Sequence, residues 1–346
     1  MPAPKIKTME DFAAAVGLSR PTVSKYFNNP GSVREVTRQR IEAALKRTDF
    51  RPNLFAVNLN RRRSKIIGVI VPDPVDPFYA ALTRRIEARA SKAGFLAFVL
   101  SSEGNPDLEE KAIKTFSAMN VAGAIIAPLG TRSNRTRIRA LGRAIPLIFI
   151  DSRLDEQGPF VGTDNHQSIS LMVDYLHRTG ESPTYFDMPP VNNNAIERRE
   201  AYQQAMTRLG LKPRFAATKA RQTWDFEKYA FDETVRILRG PGFPTKTILC
   251  ANDRLAFGLM AAAYQAGMKI GLETGRHLRV AGHDNHPLSA YTCPPLTTVS
   301  QDYGEMGRRA LDLLFQQIGF ATGHEIELPS NGRILLSAEL VLRKSA

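Results

Sequence analysis

Arg20, Thr22, Ser24, Lys25 and Asn28 place a guanidinium, an ammonium, two hydroxyls and an amide within nine residues of one another near the N-terminus. Short hydrogen-bonding groups and cations at this density suit the base edges and phosphates of the DNA major groove. To read a groove they need a rigid support, and the surrounding residues predict one. In Thr8-Met9-Glu10-Asp11-Phe12-Ala13-Ala14-Ala15-Val16, Thr8 and Asp11 have the spacing of a capping box that satisfies free N–H groups at a helix start. Gly17 supplies a tight turn. Ser19 is positioned to cap a second helix whose first turn holds Pro21, where a missing N–H costs nothing. Phe12, Val16, Leu18, Val23 and Phe27 are spaced to meet between the two helices, which turns the five polar side chains outward. The pattern is that of a helix-turn-helix.

Charge supports the same partner. Residues 1–65 hold 14 basic and 5 acidic side chains, so +9 of the chain's formal +13 lies in this short segment. A module that displaces counterions from phosphates needs that concentration. A third helix is predicted from about Glu35 to Thr48 with Ile41, Ala44 and Leu45 inward, giving a headpiece over 1–50. A basic linker follows over 51–65.

From residue 66 the pattern changes. Apolar runs at Ile66 to Val71, Phe95 to Leu100, Ala122 to Ala127, Leu147 to Ile150, Thr247 to Ala251 and Leu278 to Ala281 alternate with amphipathic stretches. These lie near Tyr79 to Ala93, Leu108 to Met119, His166 to Arg178, Ile196 to Leu209, Phe226 to Arg239 and Leu255 to Ala266. Such alternation predicts doubly wound parallel sheets, which bind ligands at the C-terminal ends of their strands. Polar and aromatic residues stand at those outlets: Asp73, Asp76, Phe78 and Tyr79 after the first run, Asp151 after the fourth, Asn252-Asp253 and Asp284 after the last two. Arg198 begins a helix, and Trp224 is the single tryptophan.

The Thr-x-x-Asp-x-Ala start, Ser19-Arg20-Pro21-Thr22-Val23-Ser24, Arg51-Pro52-Asn53 and Pro294-Pro295-Leu296-Thr297-Thr298-Val299 together resemble the lac-repressor (LacI/GalR) family of bacterial transcription regulators, in the family's order and over essentially the whole chain. The resemblance implies a helix-turn-helix headpiece and a two-lobed, periplasmic-binding-protein-like effector domain. Its N-terminal lobe is expected over 66–162 and 302–325 and its C-terminal lobe over 163–301 and 326–346. The chain would cross between lobes near Gly162–Thr163, Ser300–Gln301 and Glu325. It further implies DNA contacts by Thr8, Ser19, Arg20, Pro21, Thr22, Ser24, Lys25 and Asn28. Asn53, Ala56 and Leu59 match a hinge helix, with Leu59 as the wedge that opens a base step in the minor groove. Asp151, Arg198, Asn252 and Asp284 match positions that hydrogen-bond the effector. Phe78 and Trp224 match apolar platforms, while Asp76 and Tyr303 complete the candidate set; Arg199 could exchange roles with Arg198. Carboxylates, a guanidinium and aromatic faces are what a polyhydroxylated ring requires, so the expected effector is a sugar or sugar derivative.

Four departures from the family pattern matter. Arg34 stands where a capping serine is usual, leaving Ser32 with Glu35 to cap the third helix. His283 replaces an aromatic, Glu181-Ser182-Pro183 replaces a His-Arg run, and Pro189-Pro190 stands in place of a glycine-containing loop.

No P-loop, zinc-protease, nucleophile-elbow or paired-cysteine pattern is found, so neither an enzyme nor a cofactor or metal is expected. No apolar run approaches the ~20 residues of a membrane span and no signal peptide is read, which places the protein in the cytoplasm with Cys250 and Cys293 reduced. The expected function is transcriptional repression by a homodimer on a palindromic operator, relieved or enforced by a small-molecule effector. No zipper-like extension follows Leu340 to Ala346. A sugar receptor without DNA binding is the alternative, and binding to duplex DNA separates the two.

Overall fold

The computed structural model describes residues 6–28, 30–48, 50, 64–154, 158–273, 275, 277–321 and 326–346. The chain divides at Lys65–Ile66 into a headpiece and a body.

In the headpiece, α1 (Met9–Val16) begins with the expected capping box: Thr8 Oγ1 accepts from the Asp11 N–H at 3.1 Å, and the Asp11 carboxylate accepts from the Thr8 N–H at 3.0 Å. Gly17 ends it at φ +63°, a conformation that glycine adopts without steric cost. Ser19 Oγ accepts from the Thr22 N–H at 3.4 Å and shares a 2.8 Å bond with the Thr22 hydroxyl, starting α2 (Arg20–Asn28). The third helix, α3 (Glu35–Arg47), contributes Ile41 to a core with Phe12, Val16 and Val23, against which Leu18, Phe27, Ala44 and Leu45 pack. Phe50 stacks on Phe12 with ring centroids 4.5 Å apart, so a residue three positions beyond α3 completes the core. Ser32 does not cap α3. It lies in a single 3-10 turn, Pro30–Ser32, which aims its hydroxyl back at the Lys25 carbonyl at 3.3 Å. Arg34 occupies the cap position without a side-chain bond.

The body begins with β1 (Ile66–Val71), a continuously buried run, followed by α4 (Pro77–Lys92), β2 (Leu96–Ser101), α5 (Pro106–Met119), β3 (Gly123–Ile126), α6 (Arg135–Ala144), β4 (Leu147–Ile150) and β5 (Phe160–Thr163). A second lobe follows with α7 (Asn165–Thr179), β6 (Thr184–Phe186), α8 (Asn193–Arg208), α9 (Phe226–Arg239), β7 (Thr247–Cys250), α10 (Asp253–Gln265), β8 (Arg279–Ala281) and β9 (Thr298–Ser300). The chain then returns through α11 (Tyr303–Gln317), which packs on α4 and on strands β3 to β5, and ends with β10 (Arg333–Leu336) and β11 (Glu339–Val341).

The large sheet is wholly parallel in the order β10-β5-β4-β3-β1-β2, and β6-β7-β8 is a second parallel sheet. Strand β11 pairs antiparallel with β9. The first crossing between lobes follows β5 and the second follows β9. The third does not fall near Glu325, which lies outside the described residues. Because β10 hydrogen-bonds along β5, residues 333–336 belong to the first lobe and the crossing follows Leu336. Pairing with a distant buried strand, rather than any local signal, sets that boundary. Among the described residues no helix is long and apolar enough to cross a membrane.

Candidate functional site

Strand outlets from both lobes converge on a narrow cleft with about 40 Å³ of open space, well below the ~300–1,000 Å³ usual for small-molecule sites. From the first lobe, Asp76 caps α4 by accepting the Phe78 N–H at 2.9 Å. Asp151, buried at the end of β4 with φ +62°, accepts the Tyr79 hydroxyl at 2.7 Å. Its other oxygen accepts Asn194 Nδ2 of the second lobe at 3.1 Å, bridging the lobes. From the second lobe, Arg198 is buried on α8 with a partner at each nitrogen: Nε donates to Asn165 Oδ1 at 3.0 Å, Nη1 to the Ala251 carbonyl at 2.8 Å, and Nη2 pairs with Asp284 Oδ1 at 3.2 Å. Asn252 caps α10 through a 2.9 Å bond from the Leu255 N–H. Asp284 is held at φ +122° after β8, outside the range that side chains favour, and Gln301 Nε2 donates to it at 2.7 Å. Trp224 packs over Gly104 of the facing lobe. Gly104 has φ +65°, and a Cβ there would collide with the indole, so the close approach requires glycine.

The cleft thus gathers Asp76, Phe78, Asp151, Arg198, Trp224, Asn252 and Asp284. Tyr303 does not line it. It starts α11, and Gln301, two residues earlier on the crossing segment, takes that place. Nor does Arg199 exchange with Arg198: it pairs with Asp187 and lies 3.9 Å over the Phe215 ring. Sequence reasoning missed Asn192, Asn194, Met188, Phe226 and Gln301. The signal for two of them was the amide triplet Asn192-Asn193-Asn194 just ahead of Arg198. Asp253, beside Asn252, turns away and accepts from the His286 N–H and the hydroxyls of Ser289 and Thr298.

Arg254 ties the lobes at the rim. It forms a two-bond fork with Glu227 of its own lobe at 2.7 and 2.8 Å and reaches Asp76 of the other at 3.1 Å.

Burial raises the carboxyl groups of Asp76 and Asp151 to about 6 and of Asp253 to about 7. A carboxyl raised on folding binds its proton more tightly in the folded state, so its contribution is full below its ordinary range and is lost as pH rises through the raised value. Burial, and then the Arg198 charge, lower His283 to about 4. Its contribution is instead present above its ordinary value and is lost as pH falls toward about 4. The thermal midpoint of the body should therefore rise by about 2–4 °C between pH ~8 and pH ~6 and fall again in stronger acid. Calorimetry across that range checks this; a midpoint that falls steadily from pH ~8 downward contradicts it.

On the headpiece, α2 presents Pro21 and Lys25 exposed and Thr22 and Ser24 half-buried, with the caps Thr8 and Ser19 exposed beside them. Arg20 Nε meets Glu10 Oε1 at 2.5 Å, but both side chains are 59% exposed, so solvent and salt screen the pair and leave the guanidinium exchangeable. The side chain of Asn28 and the whole of Asn53, Ala56 and Leu59 lie outside the described residues.

A capped helix-turn-helix joined to two parallel α/β lobes around a polar cleft defines a DNA-binding regulator with a small-molecule-binding domain. Residues 8–53 match the family model for bacterial regulatory proteins of the lacI family, and residues 64–339 match that for periplasmic binding proteins and the sugar binding domain of the LacI family. The chain belongs to the LacI family of bacterial regulatory proteins, and it is a transcription regulator rather than an enzyme. It is 29% identical over 343 residues to the HTH-type transcriptional repressor CytR of Escherichia coli (strain K12), covering 98% of this chain and 96% of that protein. It is 27% identical over 314 residues to the ribose operon repressor of the same organism, covering 90% and 93%. Among solved structures, the Lac repressor dimer bound to operator and the anti-inducer ONPF superposes with a TM-score of 0.80 at 26% identity, over 98% of each chain.

Proposed function

We propose that the protein is a repressor that binds a palindromic operator as a homodimer and is controlled by a sugar or sugar derivative closing the cleft between the lobes. The observation that carries this reading is the cleft itself, where carboxylates, amides and the Trp224 face from two lobes converge in a chain whose headpiece is built to enter a major groove. Opening would part Trp224 from Gly104 and Arg254 from Asp76, and effector would hold them together, moving one lobe relative to the other. The link to DNA runs through the segment around Asn53, Ala56 and Leu59, with Leu59 as the minor-groove wedge. Because the two sites act on one conformational equilibrium, operator and effector change each other's affinity by the same factor. Exposed Tyr264, Leu288 and Tyr291 of the second lobe are the kind of surface a dimer covers.

The test is to titrate a random-sequence duplex library with the purified protein, sequence the bound fraction, and repeat with a panel of mono- and disaccharides. A palindrome with half-sites about one helical turn apart, whose recovery changes with one sugar, supports the reading and gives the sign of control. An operator whose recovery no sugar alters removes the sugar effector. On the recovered operator, Arg20→Ala should weaken binding by about 10- to 100-fold and relax the preference at the base it reads. Uniform weakening over all sequences would make Arg20 a phosphate contact instead.

A further inference from the structure

The cations of the cleft are already committed within the chain. Each of the three nitrogens of Arg198 has a partner, Asn165, the Ala251 carbonyl and Asp284. Arg254 is held by the Glu227 fork and by Asp76 across the cleft. Helix N-termini attract anions, yet that of α4 is occupied by the Asp76 carboxylate and that of α10 by the Asn252 carbonyl.

Two acceptors are left over. Asn192, at the cap position of α8, is 7% exposed, makes no capping bond, and its Oδ1 has no donor among the described residues. A buried carbonyl without a donor is costly, and its place on the cleft wall is where a ligand would supply one. Asp284 takes His283, Gln301 and Arg198 on a single oxygen, Oδ1, which leaves Oδ2 for another donor. Around them the wall carries Asp76, Asp151 and Asp284 against the single guanidinium of Arg198. A phosphate or carboxylate brought here would be desolvated among carboxylates with no uncommitted cation to receive it.

We propose that the effector is an uncharged molecule that donates hydrogen bonds to Asn192 Oδ1 and Asp284 Oδ2, and that the Asp76–Arg254–Glu227 cluster bars phosphorylated and carboxylated ligands. This rests on the cleft being the effector site, and names the chemistry that site selects.

Trp224 is the only tryptophan and lines the cleft, so the full chain carries its own probe of occupancy. Its emission is followed during titration with matched compounds: ribose and its phosphate ester, glucose and its phosphate ester, glucose and glucuronate, adenosine and its monophosphate. Operator binding is measured in parallel. An uncharged member should bind at least about tenfold more tightly than its charged derivative. For that ligand Asn192→Leu should lose about tenfold in affinity, whereas Asn192→Asp, which keeps the acceptor, should stay within about threefold. Asp76→Asn, which frees Arg254 from its partner across the cleft, should narrow the gap between parent and phosphate ester. A charged derivative that binds as well as its parent overturns the inference and leaves the effector cleft standing. Equal affinities in both Asn192 variants remove Asn192 from it. Silence from every probe, in both Trp224 emission and operator binding, overturns the cleft reading as well.

Discussion

Replacing Arg198 by methionine should destabilise the body by about 3–5 kcal/mol and abolish its response to effector. The guanidinium is buried and joins three parts of the second lobe: Asn165 just after the first crossing, the carbonyl of Ala251 at the end of β7, and Asp284 after β8. Methionine fills much of the volume, so the loss is electrostatic. Burial pushes the Asp284 carboxyl up, and Arg198, with help from His283 and Gln301, holds it below the usual carboxylate range. Without the guanidinium a carboxylate stays in the cleft with its main counter-charge gone and the Asn165 oxygen unpaired. Urea unfolding of the body reads the change as a lower midpoint at similar slope. Arg198→Lys should recover only part of it, because an ammonium cannot reproduce three fixed donor directions. A methionine variant with the parent's midpoint would mean that Asp284 is not balanced by Arg198.

Phe12→Ala should remove DNA binding altogether while leaving the body's unfolding unchanged. Phe12 is fully buried in a headpiece with no disulfide, stacked on Phe50 and tilted against Phe27. Truncating a core phenylalanine costs about 3–5 kcal/mol, and a core of this size contributes about as much in total. The variant headpiece should be unfolded at ordinary temperature, so Arg20 and its neighbours lose their support together. The readout is operator affinity beside the thermal transition of the body, which has its own cores. Retained operator binding within about tenfold would place the headpiece's stability elsewhere than in the Phe12 cluster.

The helix-turn-helix was legible because each of its signals is local. The Thr8–Asp11 box, the Gly17 turn, the Ser19 cap and the spacing of Phe12, Val16 and Val23 all act within one or two helical turns, and each appears where it was expected. The same is true of strands β1 and β4 and of helix α9, whose apolar runs coincide with the elements, and of the outlet residues Asp76, Asp151, Asn252 and Asp284. Strand ends and helix caps are written in neighbouring residues.

Other features answer to burial and pairing between distant segments. Strands β5, β6, β9, β10 and β11 have only three or four residues each, too few for a period to stand out. Helix α6 carries four arginines among ten residues, which masks the Ile138 and Leu141 stripe it buries. No property of Arg333–Leu336 alone assigns it to the first lobe; the open edge of β5 does. Between adjacent arginines, one turn of α8 sends Arg198 into the second lobe's interior and Arg199 to Asp187 and Phe215. Asn192 and Gln301 reached the cleft, and Tyr303 did not, because the crossing segments and the start of α8 are placed by the lobes packed around them. The sequence by itself determined which residues could cap, stack and carry charge, since those are properties of short spans. Only the tertiary structure decided which of them share a cleft and which are already spoken for, because that depends on which buried groups find partners across the fold.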